Sequence, residues 1–338
     1  MKERLLSISI LRLLSTLCIF AFHLVLTHFD AGKRFFPLYF AVQIFLFISG
    51  YLYSDKKIKD VKSFYIKNTL KILLPVVVFG LIFLAVVGVC RIFSVNIPIM
   101  VGTPNRPPQN TFGHLWFLYA ILICYAITPM LQYVLDYRND RENPSKNFRV
   151  QLFEIIIILA CAINIFSMCS GGQSILLPYI VGYFFKRVQL RKSFNSMKLT
   201  LSLGSTIVFI FALMGYGVCF TYATTPTMLE GFVREVLCAV MAITFTIVFL
   251  IAFEKLKVKK VPLLFRISDK YSYSFFIVHN FFVAGSFMPF ILGVMPFEWF
   301  VVVAFACSCI GAFIIENLSQ LILKPINKKL DRKFRVVK

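Results

Sequence analysis

Residues Leu11 to Leu26 read LRLLSTLCIFAFHLVL, an apolar helix segment that carries an arginine and a histidine. A charged or ionisable side chain in a bilayer costs several kcal/mol unless something satisfies it, so such residues are usually functional. The surrounding composition makes a bilayer the expected solvent. Of 338 residues 59% are hydrophobic, 39 are Phe, only 15% are charged, and the mean hydropathy is +0.81. Soluble domains are closer to half apolar. Apolar runs reach the ~20 residues that a spanning helix needs again and again, and alternating β-barrel strands are absent. The expected fold is therefore an all-α, polytopic transmembrane bundle.

Polar segments cut the chain into about ten spans, near 7–28, 36–54, 70–91, 115–135, 151–168, 174–187, 199–221, 234–254, 272–292 and 299–323. The sixth is short and interrupted by Gly171, Gly172 and Pro178. The charged lead Lys2, Glu3, Arg4 has no small-residue cleavage site after it, so the first span reads as a retained helix. No repeat, low-complexity tract or soluble domain is visible, and residues 1–338 read as one membrane domain.

The net charge of +21 comes from 36 Lys and Arg against 15 Asp and Glu. All but Arg12, Lys33, Arg34, Arg91, Arg106 and Arg234 fall on one side of the expected topology. That asymmetry follows the positive-inside rule and puts both termini in the cytoplasm. Blocks such as KKLDRKFRVVK also meet anionic lipid headgroups favourably. The basic balance thus reports topology in a lipid bilayer rather than nucleic-acid binding. The nine cysteines lie in or beside apolar runs without a CxxC pair, which predicts small buried hydrophobes and no metal site.

Eleven steps of about 100° carry a helix just over three full turns, so Arg12 and His23 share one stripe. They stand roughly 16 Å apart along the axis, Arg12 in the inner half and His23 in the outer half. His28 points well away from that stripe. Taken singly, Arg12 can snorkel to headgroups and His23 can be an interhelical hydrogen bonder. Two costly residues on one face favour a shared polar channel.

An Arg, ten residues and a His in the first span resemble the signature of the acyltransferase 3 family, membrane O-acyltransferases of cell-surface glycans. FLFISGYLYS (Phe45 to Ser54) resembles the family's Phe-Phe-x-x-Ser-Gly-Phe/Tyr-Leu segment. SFYIKNTLKILLP (Ser63 to Pro75) is similar to its basic run before a proline, and GHLWFLYAILICYAITP (Gly113 to Pro129) to its fourth span. ISDKYSYSFFIVHNFF (Ile267 to Phe282) is similar to its Ser-Tyr-Ser-x-Tyr-Leu-x-His.

The resemblance implies ten spans in the cell membrane and an acyl transferase in which Arg12 and His23 are essential. Its donor would be a cytoplasmic acyl-CoA, most simply acetyl-CoA, used as a substrate with no bound cofactor and no metal. The acceptor would be a hydroxyl of a cell-surface glycan or a lipid-linked saccharide. Histidine suits the base because its pKa is near working pH, and Arg12 suits the phosphates of the donor. The family's basic run usually holds arginines, whereas Lys67 and Lys71 stand here, keeping the charge without the bidentate fork. They read either as acyl-CoA ligands or as ordinary cytoplasmic charge. Members with a fused extracellular esterase-like domain are known; this chain reads as the membrane part alone.

Supporting positions are His279 with Ser272 and Ser274 near it, and the carboxylate of Glu316, a candidate partner for Arg12. Trp116 and Tyr119 either line the acceptor path or anchor at the interface. His114 reads as a solvated histidine at the outer loop, Ser49 and Gly50 as helix-packing positions, and Thr103 to Thr111 as a connecting loop or a cover over an acceptor groove. A glycan transporter or flippase is the alternative class, although paired inverted halves are not apparent. The sequence sets no oligomeric state.

Overall fold

The computed structural model describes residues 4–28, 38, 40–103, 106–137, 144–169, 172–191, 193–222, 227–254, 256–258 and 261–335. Lys33, Arg34 and the first residues of the expected second span lie outside the described residues. The helices are α1 (Leu6–His28), α2 (Ala41–Ser54), α3 (Val61–Ile92), α4 (Trp116–Tyr137), α5 (Pro144–Cys169), α6 (Leu176–Gln189), α7 (Phe194–Tyr222), α8 (Met228–Ala252), α9 (Leu263–Val283), the short α10 (Met288–Leu292) and α11 (Phe297–Arg335). A 3-10 turn at Gly113–Leu115 leads into α4. Strands β1 (Arg4–Leu5) and β4 (Lys257–Val258) pair antiparallel, as do β2 (Met100–Thr103) and β3 (Arg106–Asn110).

Helix is the local outcome that lipid dictates, because it satisfies every backbone N–H and C=O inside the segment. Among the described residues seven helices are long and apolar enough to cross a membrane: α1, α3, α4, α5, α7, α8 and α11. The chain is a multi-pass membrane protein. Helix α2 is apolar but only 14 residues long, and α6 also has 14 residues. The start of α8 is legible locally: Thr227 and Glu230 form a capping box, each side chain bonded to the other's backbone N–H.

Several helices extend beyond the expected spans, and at α9 both boundaries move. Helix α9 begins at Leu263 rather than near 272, so Arg266, Asp269 and Lys270 lie on its first turns instead of in a loop. It ends at Val283 rather than 292, and a turn leads to α10. At Gly285 in that turn a Cβ would press on Thr111 Cγ2 at 2.8 Å and on Asn280 O at 2.9 Å. The polar turns lengthen α9 at its start because tertiary partners hold them, as described below.

The chain forms two compact units. The first comprises Met1–Leu11, Tyr39–Val61 and Ala120–Lys260. Its core gathers Leu11, Ile44, Phe47, Tyr51, Phe185 and Leu250. Helices α2 and α6 meet there through two glycines. A Cβ on Gly50 would collide with the Tyr179 carbonyl, and one on Gly182 with the Phe47 carbonyl. The small-residue contact expected at Gly50 is thus present, and Gly182 is its reciprocal half. Gly182→Ala is predicted to destabilise the protein by about 1–3 kcal/mol, the usual cost of overpacking. Gly204, with open space around it, should tolerate alanine. Thermal unfolding in detergent checks both, with a lower midpoint for Gly182→Ala only.

The second unit comprises Arg12–Leu38, Lys62–Tyr119 and Val261–Lys338. Phe79 and Phe83 of α3 meet Phe281 of α9 edge-on at 4.4 and 5.2 Å between ring centroids. Phe20 of α1 meets Phe275 of α9 and Phe305 of α11 at 6.0 and 5.3 Å. Three of these four pairs are edge-to-face, an arrangement that adds to simple area burial. This aromatic packing sets α1 beside α9.

Candidate functional site

The stripe on α1 meets α9 at both ends. Arg12 Nη1 donates to Asp269 Oδ1 at 3.3 Å, with side chains 29% and 20% exposed. His23 lies against His279, ring centroids 5.1 Å apart. Eleven residues on α1 rise about 16 Å and ten on α9 about 15 Å. The matched rises mean that the two helices run side by side in the same direction.

His23 and His279 belong to a cluster of three imidazoles. His114 stands 5.5 Å from His279 and 6.4 Å from His23, centroid to centroid. The expectation of a solvated His114 is overturned: it is 4% exposed. Its Nε2 is 2.9 Å from the Ile277 carbonyl and its Nδ1 is 3.2 Å from the Thr111 carbonyl. Thr111 is itself fixed, donating to Ile99 O at 2.9 Å, meeting Ser286 Oγ at 3.0 Å, and accepting from Asn280 Nδ2 at 3.1 Å. These tertiary bonds pull the turn onto α9, and nothing periodic in the sequence announces them.

The three rings have different chemical faces. Carbonyl oxygens only accept, so a nitrogen facing one is fitted to carry a proton. Both nitrogens of His114 face carbonyls, so whichever one keeps the lone pair of the neutral ring does not turn it toward the other two imidazoles. His279 is fully buried. Its Nδ1 lies 2.9 Å from the Phe276 carbonyl and 3.2 Å from that of Phe275, both on its own helix. That assigns the proton to Nδ1 and the lone pair to Nε2, which has no hydrogen-bond partner among the described residues. His23 alone of the three is partly exposed. His23 is thus the most accessible of the three rings, and the buried His279 packs against it.

Nearer Arg12, Glu316 of α11 takes a hydrogen bond from Ser274 Oγ on one oxygen and from Gln320 Nε2 on the other, each at 2.8 Å. Its expected pairing with Arg12 is replaced by these bonds, because Asp269 holds the guanidinium. Lys71 of α3 lies within the electrostatic reach of both Arg12 and Glu316, and Tyr273 donates to Ile72 O at 2.7 Å. Lys67, one turn before Lys71 on α3, is paired with Asp331 at 2.5 Å. Ser272 is partly exposed on α9. Trp116 and Tyr119 lie 6.3 Å apart by ring centroid, with Tyr119 exposed.

Among the described residues no group of His, Cys, Asp and Glu has the arrangement to hold a metal ion. With both nitrogens of His114 turned to carbonyls, the three imidazoles do not offer three lone pairs to one point. The cluster suits proton transfer: one partly exposed imidazole, one buried imidazole with an acceptor nitrogen beside it, and a guanidinium a fixed distance along the same helix.

No curated protein and no solved structure matches the chain. A family model, that of the acyltransferase 3 domain, described as "Acyltransferase domain", matches residues 5–317 of the 338 and so runs through both units. The five motifs of the resemblance, from Arg12 to His279, all fall inside that range. This chain belongs to the acyltransferase 3 family and is a membrane acyltransferase.

Proposed function

We propose that this acyltransferase moves an acyl group, most simply acetyl, from cytoplasmic acyl-CoA to a hydroxyl of a cell-surface glycan or its lipid-linked precursor. The single observation that carries the reading is the α1–α9 seam: Arg12 held by Asp269 at one end, and His23 against His279 at the other. The whole chain acts as one domain of ten spans in the cell membrane, with both termini inside. The same-direction run of α1 and α9 supports this, because ten spans in alternation make the first and ninth parallel. The skewed distribution of Lys and Arg supports the inside assignment.

His23 is the general base in this reading. It takes the proton of the acceptor hydroxyl as that oxygen attacks the thioester carbonyl. Collapse then breaks the C–S bond, and the CoA thiolate leaves with a proton. His279 is a positioning residue. Its Nε2 lone pair can accept an N–H from His23 and so orient that ring's other nitrogen toward the hydroxyl, much as a carboxylate orients the histidine of a hydrolase triad. Such hydrogen bonds are often long in a free enzyme and tighten with substrate. Arg12 has five N–H donors and its ion pair uses one, so the others can meet donor phosphates. Lys71 stands beside it, whereas Asp331 competes for Lys67.

His279→Leu fills the same space without the acceptor and is predicted to lower kcat about 10²-fold while KM for acetyl-CoA stays within threefold. His279→Gln restores an acceptor oxygen and should recover at least a tenth of the wild-type kcat. A packing role alone would leave the leucine variant active. The reaction class is tested by mass spectrometry of surface glycans from cells with and without the protein: an acyl-sized mass loss on deletion is expected. Unchanged glycan masses, with altered amounts of exported glycan, would favour a transporter.

A further inference from the structure

We infer that the groove between α9 and α11 binds the phosphate headgroup of an anionic phospholipid. A cavity of about 440 Å³ opens there beside Lys270, Asn317, Gln320, Leu321 and Lys324. Lys270 Nζ is steered into place by Tyr271 Oη at 2.7 Å and Asn317 Oδ1 at 3.0 Å. Two of its three N–H groups are used, and one remains for a ligand. Lys324 stands one turn beyond Gln320. Arg12, Lys67, Lys186, Arg187 and Lys198 are each ion-paired with a carboxylate. Lys270 and Lys324 have no carboxylate partner among the described residues. The one carboxylate in the wall, Glu316, has its oxygens engaged by Ser274 and Gln320.

The rest of the groove selects the kind of anion. Leu318 and Leu321, which also line it, are 41% and 70% exposed, and Ile322 beside them is 43% exposed. A soluble phosphate has no use for such a surface, whereas a phospholipid lays its chains along it and its phosphate on the lysines. Further along α11 come Lys328, Lys329 and Arg332, which place this end of the helix among headgroups. Basic pockets between helices beside an interfacial cluster of this kind favour anionic over zwitterionic lipid. A polar Asn317 and a lysine turned outward next to leucines would otherwise face hydrocarbon at a cost. The inference does not depend on the proposed acyl transfer.

Native mass spectrometry of the purified full-length protein, titrated with phosphatidylglycerol or phosphatidylcholine, tests it. The wild type should retain one phosphatidylglycerol under conditions that strip phosphatidylcholine. The double variant Lys270→Gln, Lys324→Gln should bind phosphatidylglycerol at least tenfold more weakly, with Lys270→Arg, Lys324→Arg near wild type and Lys57→Gln unchanged. If the double glutamine variant does not fold, each single one should weaken binding about threefold. Equal retention of both lipids by the wild type would overturn the inference, as would undiminished phosphatidylglycerol binding by the glutamine variants. A tenfold rise in KM for acetyl-CoA with lipid retention unchanged would also overturn it and assign the groove to the nucleotide phosphates of the donor.

Discussion

His23→Ala is expected to lower acyl transfer by about 10²–10⁴-fold, the usual contribution of a positioned general base, while the protein reaches the membrane at its normal level. The ring packs edge-on against Phe22 and His279 at 5.5 and 5.1 Å, but it is partly exposed. Its loss therefore removes chemistry more than packing. His114→Gln supplies the contrast. It keeps a donor for the Ile277 carbonyl, so a modest fall in stability and a rate within about tenfold of wild type are expected. Measured rates and membrane levels for the two variants separate the base from the buried scaffold. A fully active His23→Ala enzyme would remove His23 from the reaction.

Arg12→Ala should damage both stability and activity, for separable reasons. It removes the cation opposite the Asp269 carboxylate, and breaking a buried pair from one side costs about 3–5 kcal/mol, trimmed here by partial exposure. In the proposed reaction it also removes the hydrogen bonds offered to donor phosphates, each about 1.5–3 kcal/mol when charged, or roughly 10–100-fold in KM. Arg12→Ala combined with Asp269→Ala should restore much of the stability but leave KM for acetyl-CoA high. Arg12→Lys should keep the protein level and recover only part of the affinity, since a point charge replaces a planar fork. Recovery of KM together with stability in the double variant would make Arg12 purely structural.

The seam on α1 could be read from spacing alone because helical geometry is local: positions 12 and 23 share a face whatever surrounds them. What each side chain meets is not local. Asp269 lies 257 positions from Arg12 and Asp331 lies 264 positions from Lys67, so no periodicity reports either pair. Asp269 and Lys270 looked like loop residues because they are charged; they are helical because Arg12 and Asn317 hold them. His114 is the plainest miss. It follows an irregular hairpin, where polar residues are ordinarily solvated, yet Thr111, Asn280 and Ser286 bind that turn to α9. Of the partners of Glu316, Gln320 sits four residues away on the same helix, whereas Ser274 lies 42 positions away on α9.

Purified enzyme in proteoliposomes, supplied with acetyl-CoA and a glycan acceptor, tests the α1–α9 seam most directly through the appearance of free CoA thiol. Thiol release that needs the acceptor in the wild type, is lost in His23→Ala and is partly restored from His279→Leu to His279→Gln is the predicted result. Release by wild type and His23→Ala at equal rates, or acceptor movement across the bilayer with no thiol formed, would contradict it.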